Sequence, residues 1–169
     1  SLVVDCTLGG GGHSELLLER GCKVIGLDRD PAALAAASAR LARFGDRFRA
    51  CKGNFAQARA LLDGLEPKVG KVGLVDGVVA DLGVSSPQID QAERGFSFMR
   101  AGPLDMRMGP DTPTLAEYLT SVDEQTLGSL LRDLGDEPFG PRIARRVLEA
   151  HRAGKLADTT QLAQLIGEA

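Results

Sequence analysis

The first half of the chain alternates short runs of branched apolar residues with stretches of helical spacing, and the second half carries helical spacing alone. Apolar runs over 2–6, 23–27 and 75–82 predict strands, and 47–51 predicts a shorter one. Helices fit between them over 13–20, closed by Gly21, over 32–43, started by Asp30 with Pro31 in the first turn, and over 55–65. Such alternation builds βαβ units and hence a parallel sheet covered by helices. The run 75–82 is rich in valine without alternation, which predicts a strand buried on both faces. A polar link is expected over 66–73.

Beyond Gly83 the period lapses. Residues 83–111 are rich in Gly, Pro, Arg and Ser and predict a long loop, which in a compact domain usually has a task. From Thr114 helices follow one another. Thr114-Leu115-Ala116-Glu117 and Ser121-Val122-Asp123-Glu124 both spell a capping box. Leu127, Leu130, Leu131 and Leu134 recur at i, i+3, i+4 and i+7 and are expected in a core. Gly135 ends that helix, another is expected over 141–153, and Asp158 starts a last one. The expected organisation is a cofactor-binding core with its active-site loop over 1–112 and a helical, substrate-side insertion over 113–169.

Composition narrows the function classes more than the fold. With 169 residues, 43% hydrophobic and 25% charged, the chain has the balance of an ordinary globular protein. A net charge of −3 provides no global attraction for nucleic acid, so RNA binding must rest on local patches. Cys6, Cys22 and Cys51 fit neither a disulfide framework nor paired metal ligands, which predicts a reducing, cytoplasmic location. His13 and His151 are the only histidines, and no metal is expected. No apolar run approaches the roughly 18–20 residues of a membrane helix, and neither a leader nor a membrane partner is expected. The chain opens within a strand and stops within a helix, so both ends look cut.

Candidate chemistry begins at Thr7-Leu8-Gly9-Gly10-Gly11-Gly12-His13, between the first strand and its helix. Missing side chains there let a ligand approach the backbone and the helix N-terminus. A dinucleotide fingerprint would continue with glycine at position 14, where this chain has Ser14. Asp28 follows Gly10 by 18 residues, at the end of the second strand, where an acid can accept both hydroxyls of an adenosine ribose. NAD and S-adenosylmethionine share that ribose. The incomplete fingerprint leans toward the methyl donor, which has no pyrophosphate to bind.

Asp81, Ser85 and Ser86 lie at the carboxyl end of the fourth predicted strand, where open α/β sheets bind ligands. Methyl transfer is an in-line displacement that asks the protein mainly for positioning. Asp81 with Ser85 could hold a nucleophilic amine. Methylation at a ring carbon would instead need a cysteine thiolate, and none lies in this segment. Farther along, Arg94, Phe96, Phe98, Arg100 and Arg107 combine aromatics with cations, as a splayed-out base and its phosphates require. The same phenylalanines would equally pin a long loop. Arg142, Arg145, Arg146, Arg152 and Lys155 make 141–155 locally basic, suited to phosphate contact or to a solvated helix face.

Together, 5–14, Gly26-Leu27-Asp28-Arg29-Asp30-Pro31, 81–90, 93–98 and 102–108 resemble the small-subunit ribosomal RNA cytosine-N4 methyltransferases, the MraW/RsmH family. The resemblance implies an S-adenosylmethionine-dependent, Rossmann-like α/β core with an inserted helical domain. It implies methyl transfer to the exocyclic amine of a decoding-region cytidine in small-subunit ribosomal RNA. It also implies cofactor contacts from Gly11, Gly12, His13, Asp28, Phe55, Asp81 and Gln88. The family's segment before the first strand and its C-terminal part, with a His-Ser-Leu-Glu-Asp-Arg motif, have no counterpart here, so an incomplete sheet with an exposed edge is expected. The rival readings are an NAD-binding oxidoreductase fragment and a catalytically silent RNA-binding or assembly module.

Overall fold

Strand propensity and parallel pairing are realised in a four-stranded sheet, seen in a computed structural model that describes residues 1–65 and 75–169. The expected polar link over 66–73 lies outside the described residues. Packing divides the chain into two units, Ser1–Gly83 and Val84–Ala169.

In the first unit β1 (Leu2–Asp5), β2 (Lys23–Asp28), β3 (Phe48–Lys52) and β4 (Gly77–Val79) lie in the order β3-β2-β1-β4. Every neighbouring pair is parallel, with Val4 opposite both Ile25 and Val78. Period-two alternation sends neighbouring strand residues to opposite faces. Val24 joins Leu18 of α1 (Gly12–Glu19) and Ala37 and Leu41 of α2 (Pro31–Leu41) in one layer. Ile25 and Leu27 join Val4 and Leu65 in the other, against Leu61 and Leu62 of α3 (Ala58–Asp63). Two helices on one face and a third on the other make the doubly wound, Rossmann-like arrangement that the alternation predicts.

The Asp30 side chain accepts the Ala32 N–H at 3.0 Å, as a cap followed by proline should. Helix α2 stops two residues early and tightens into a 3-10 turn over Ala42–Arg47 that contains Gly45 at φ +56°. The helix expected over 55–65 is divided in the same manner, a 3-10 turn over Phe55–Gln57 preceding α3. The fourth strand departs most from expectation. It spans three residues, not eight, and Val78 is 62% exposed instead of buried on both faces. Its described pairing is to β1 alone, which leaves it at the sheet edge.

The second unit gathers the segment after Gly83 with the helices. A five-residue helix α4 (Ser86–Asp90) replaces the start of the expected loop. It is followed by α5 (Leu115–Ser121), α6 (Glu124–Asp133), α7 (Gly140–Arg152) and α8 (Thr159–Gly167). Their core holds Leu119, Leu127, Ile143, Val147 and Leu148, and Leu104 from the irregular segment is buried among them. Thr114 and Glu117 form the expected reciprocal cap. Ser121 does not cap α6: it is the last residue of α5, and the cap is Asp123, which accepts the Thr126 N–H at 2.8 Å. Leu127 is buried and Leu131 packs on the core, but Leu130 and Leu134 are 37% and 80% exposed. The backbone of Gly128 and Gly140 makes the close contact between α6 and α7, which points the Leu127 edge inward and turns Leu130 outward. Among the described residues no helix is long and apolar enough to cross a membrane.

Candidate cofactor and substrate site

Strand order reverses direction at β1, so the loop leaving β1 sits where open α/β sheets bind ligands. Gly9 and Gly11 adopt φ +50° and +82°, and a methyl group on Gly11 would press on Ala37 and Leu41. Backbone conformation therefore demands glycine at both. Gly10 and Gly12 differ, for a side chain there would meet nothing within 4 Å. Their smallness leaves open space above the loop, beside the exposed His13 in the first turn of α1.

Asp28 ends β2 beside that loop. One carboxylate oxygen accepts the Gly9 N–H at 2.8 Å and the other the Asp30 N–H at 2.9 Å. A carboxylate offers about four lone-pair sites, so two protein donors leave capacity for two ligand hydroxyls. Phe55 follows β3 and is 46% exposed, and the exposed Asp81 follows β4. Gly11, Gly12, His13, Asp28, Phe55 and Asp81 thus all occupy the carboxyl edge of one sheet. Nothing in the local pattern distinguished Phe55, which the structure sets after β3 at the same edge.

Sequence reasoning passed over the support beneath the loop. Asp5, fully buried at the end of β1, accepts the Ser14 hydroxyl at 2.7 Å and the Thr7 N–H at 3.1 Å. Ser14 is itself fully buried. It stands where a dinucleotide fingerprint has glycine and ties α1 to β1 with its hydroxyl. The signal was present as an acid at the strand end with a serine nine residues on, but separation in sequence concealed it. Burial, and then the Asp5 charge, push the Cys6 thiol pKa up.

The remaining candidates belong to the second unit. Ser85 and Gln88 pair as the capping box of α4, the Gln88 carbonyl oxygen accepting the Ser85 N–H at 2.8 Å. Arg107 is held by both carboxylate oxygens of Asp105 at 2.8 Å, and Arg94 donates to the Arg107 carbonyl at 3.1 Å. The Arg107 side-chain bond, offset in part by burial, lowers the Asp105 pKa. Met106 between them adopts φ +58°, a strained conformation for methionine. Phe96 is half-buried, whereas Phe98 and Met99 are 69% and 80% exposed. Thr159 exchanges hydrogen bonds with Gly102, and a methyl group on Gly102 would strike the Ala92 carbonyl. The segment is therefore a built surface displaying Phe98. The concavity along α6, about 420 Å³ and lined by Gln125, Leu130 and Leu134, contains none of these residues.

A glycine loop at the switch point of a parallel sheet, with an acid ending the next strand, defines the Rossmann-like cofactor-binding class. Comparison with known proteins makes this specific. The chain belongs to the MraW methylase family, whose model matches residues 1–169. It is 55% identical to the ribosomal RNA small subunit methyltransferase H of Anaeromyxobacter sp. (strain Fw109-5), over 99% of this chain and 53% of that protein. Its similarity to the protein of the same name from Myxococcus xanthus (strain DK1622) is 55% identity over 88% of this chain and 46% of that one. The Hydrogenovibrio crunogenus protein is 46% identical over 99% of this chain. The chain spans about half the length of the curated relatives it matches.

Proposed function

We propose that this chain carries the donor site of a methyltransferase that acts in the cytoplasm on small-subunit ribosomal RNA, modifying the exocyclic N4 amine of a decoding-region cytidine. The observation that carries the reading is the Asp28 carboxylate, anchored by the Gly9 N–H and with acceptor capacity to spare, in a family of methylases. S-adenosylmethionine, when bound, supplies an electrophilic methyl group on a sulfonium. Asp28 would accept its ribose hydroxyls, Phe55 would serve the adenine, and Gly11, Gly12 and His13 the amino-acid end, with Gln88 as a further contact. The open space over Gly10 and Gly12 fits a ligand that approaches the backbone closely.

On the acceptor side Asp81 takes a hydrogen bond from the cytidine amine and orients its lone pair, and Ser85 is the second polar candidate. The cysteines support an amine target over a ring carbon. Cys6 is held as a thiol by burial and by Asp5, Cys51 packs in the sheet core, and Cys22 precedes β2 at the opposite edge. Phe98 and the half-buried Phe96 offer stacking surfaces, while Arg94 and Arg107 brace the segment that presents them. Along α7, Arg142, Arg145 and Arg152 share one helix face with Glu149, and no ion pair engages these arginines among the described residues. That face suits phosphate. Residues 113–169 then act on the substrate side. Deleting the gene should abolish N4-methylcytidine in small-subunit RNA, and unchanged modification contradicts the proposed target.

A further inference from the structure

The Asp81 backbone N–H donates to the Thr7 hydroxyl at 2.7 Å, between residues 74 apart in sequence. Two elements that leave the sheet at its switch point are joined there by a side chain. Ladder pairing ends just before, with Asp5 opposite Val79 and the Cys6 N–H donating to the Val79 carbonyl at 2.8 Å. The Thr7 backbone rests in turn on Asp5, which also holds Ser14 of α1 from a fully buried position. A continuous polar chain therefore runs from α1 through the end of β1 to the exit of β4. Its last member carries an exposed carboxylate on a segment leaving a three-residue edge strand.

We infer that Thr7 is a positioning residue, whose hydroxyl oxygen fixes the Asp81 backbone and so keeps the Asp81 carboxylate in register with the glycine loop. Threonine suits the task because its branched side chain is restricted at χ1. Valine has nearly the same shape without the acceptor oxygen, and serine keeps the oxygen without the methyl. The inference rests on the reading of Asp81 as part of the donor and acceptor site, and the test separates the two.

Titration of S-adenosylmethionine into wild-type chain, Thr7→Val, Thr7→Ser, Asp81→Ala and the Thr7→Val/Asp81→Ala double variant measures the coupling. Amide hydrogen exchange at position 81 reports the bond itself. Loss of one hydrogen bond should weaken donor binding roughly fivefold to tenfold in Thr7→Val, with Thr7→Ser within about twofold of wild type. Thr7→Val should have no further effect once Asp81 is alanine, and exchange at position 81 should quicken in Thr7→Val but not in Thr7→Ser. Thr7→Ala, which also lacks the oxygen, replaces the valine variant should valine fail to fold. Wild-type affinity in Thr7→Val, or an equal loss with and without the Asp81 carboxylate, overturns the inference. Should wild-type chain bind no donor, the functional reading falls and exchange alone decides: equal rates at position 81 in wild type and Thr7→Val then overturn the positioning role.

Discussion

The sheet unit and the helical unit support their functional candidates differently. In the first, functional candidates stand on a fully buried carboxylate and on backbone geometry that only glycine supplies, at Gly9 and Gly11. In the second, polar groups are spent on caps and loop braces, as with Thr114 and Glu117, Asp105 and Arg107, or Ser85 and Gln88, while an aromatic is left exposed. The contrast teaches that a small cofactor and a large polymer ask for different supports. A preorganised pocket needs buried anchors, whereas a docking surface needs a rigid frame with accessible tips.

Core truncation tests whether the two supports are separate, and it carries the largest expected effect. Leu148 is 1% exposed at the centre of the helical core, so Leu148→Ala should cost about 2–5 kcal/mol. Urea denaturation measures the loss, and donor affinity of the protein still folded should stay at the wild-type value. An equal collapse of donor binding would dissolve the distinction. The complementary change, Asp5→Ala, strips the Ser14 hydroxyl and the Thr7 N–H of their acceptor and should cost about 1–3 kcal/mol. Here stability and donor affinity should fall together, in calorimetry on the same sample.

Acid should weaken the braces and caps of the helical unit. Hydrogen bonds from Arg107, Thr114, Thr126 and Thr160 respectively lower the pKa of Asp105, Glu117, Asp123 and Asp158, all in the helical unit. A lowered folded pKa contributes stability that is present above the unfolded value, about 4 for these acids, and is lost as pH falls through the folded value. Amide resonances at the caps of α5, α6 and α8 should therefore shift as pH falls below about 4, and resonances that stay unmoved on acid titration would contradict the role of these caps. The smallest effect is expected at α7, where replacing Arg142 and Arg145 with Gln should flatten the salt dependence of RNA binding by about 0.7 per lost phosphate contact. Donor affinity should not change.

Much of the sheet unit was legible because its signals are local. A βα period, an acid before proline, and glycines in a strand-to-helix turn each act within a few residues. Asp28 and the glycine loop emerged from spacing alone. The Asp5–Ser14 bond and the Thr7–Asp81 bond did not, since each depends on packing that joins separate elements. In the helical unit periodicity located α6 but misjudged its rotation, because backbone contact at Gly128 and Gly140 decides which leucines face inward. Valine content likewise suggested a buried β4, yet burial depends on neighbours, and the described sheet supplies one. Phe55 entered only through family resemblance.

The claim that the carboxyl edge of the sheet is a methyl-donor site meets its most direct test in calorimetric titration of S-adenosylmethionine into this chain, with Asp28→Ala as control and NADH as competing ligand. Saturable donor binding is predicted, weakened at least roughly tenfold in Asp28→Ala as expected for lost charge-assisted hydrogen bonds, with no response to NADH. NADH binding, or donor affinity indifferent to Asp28, would contradict it.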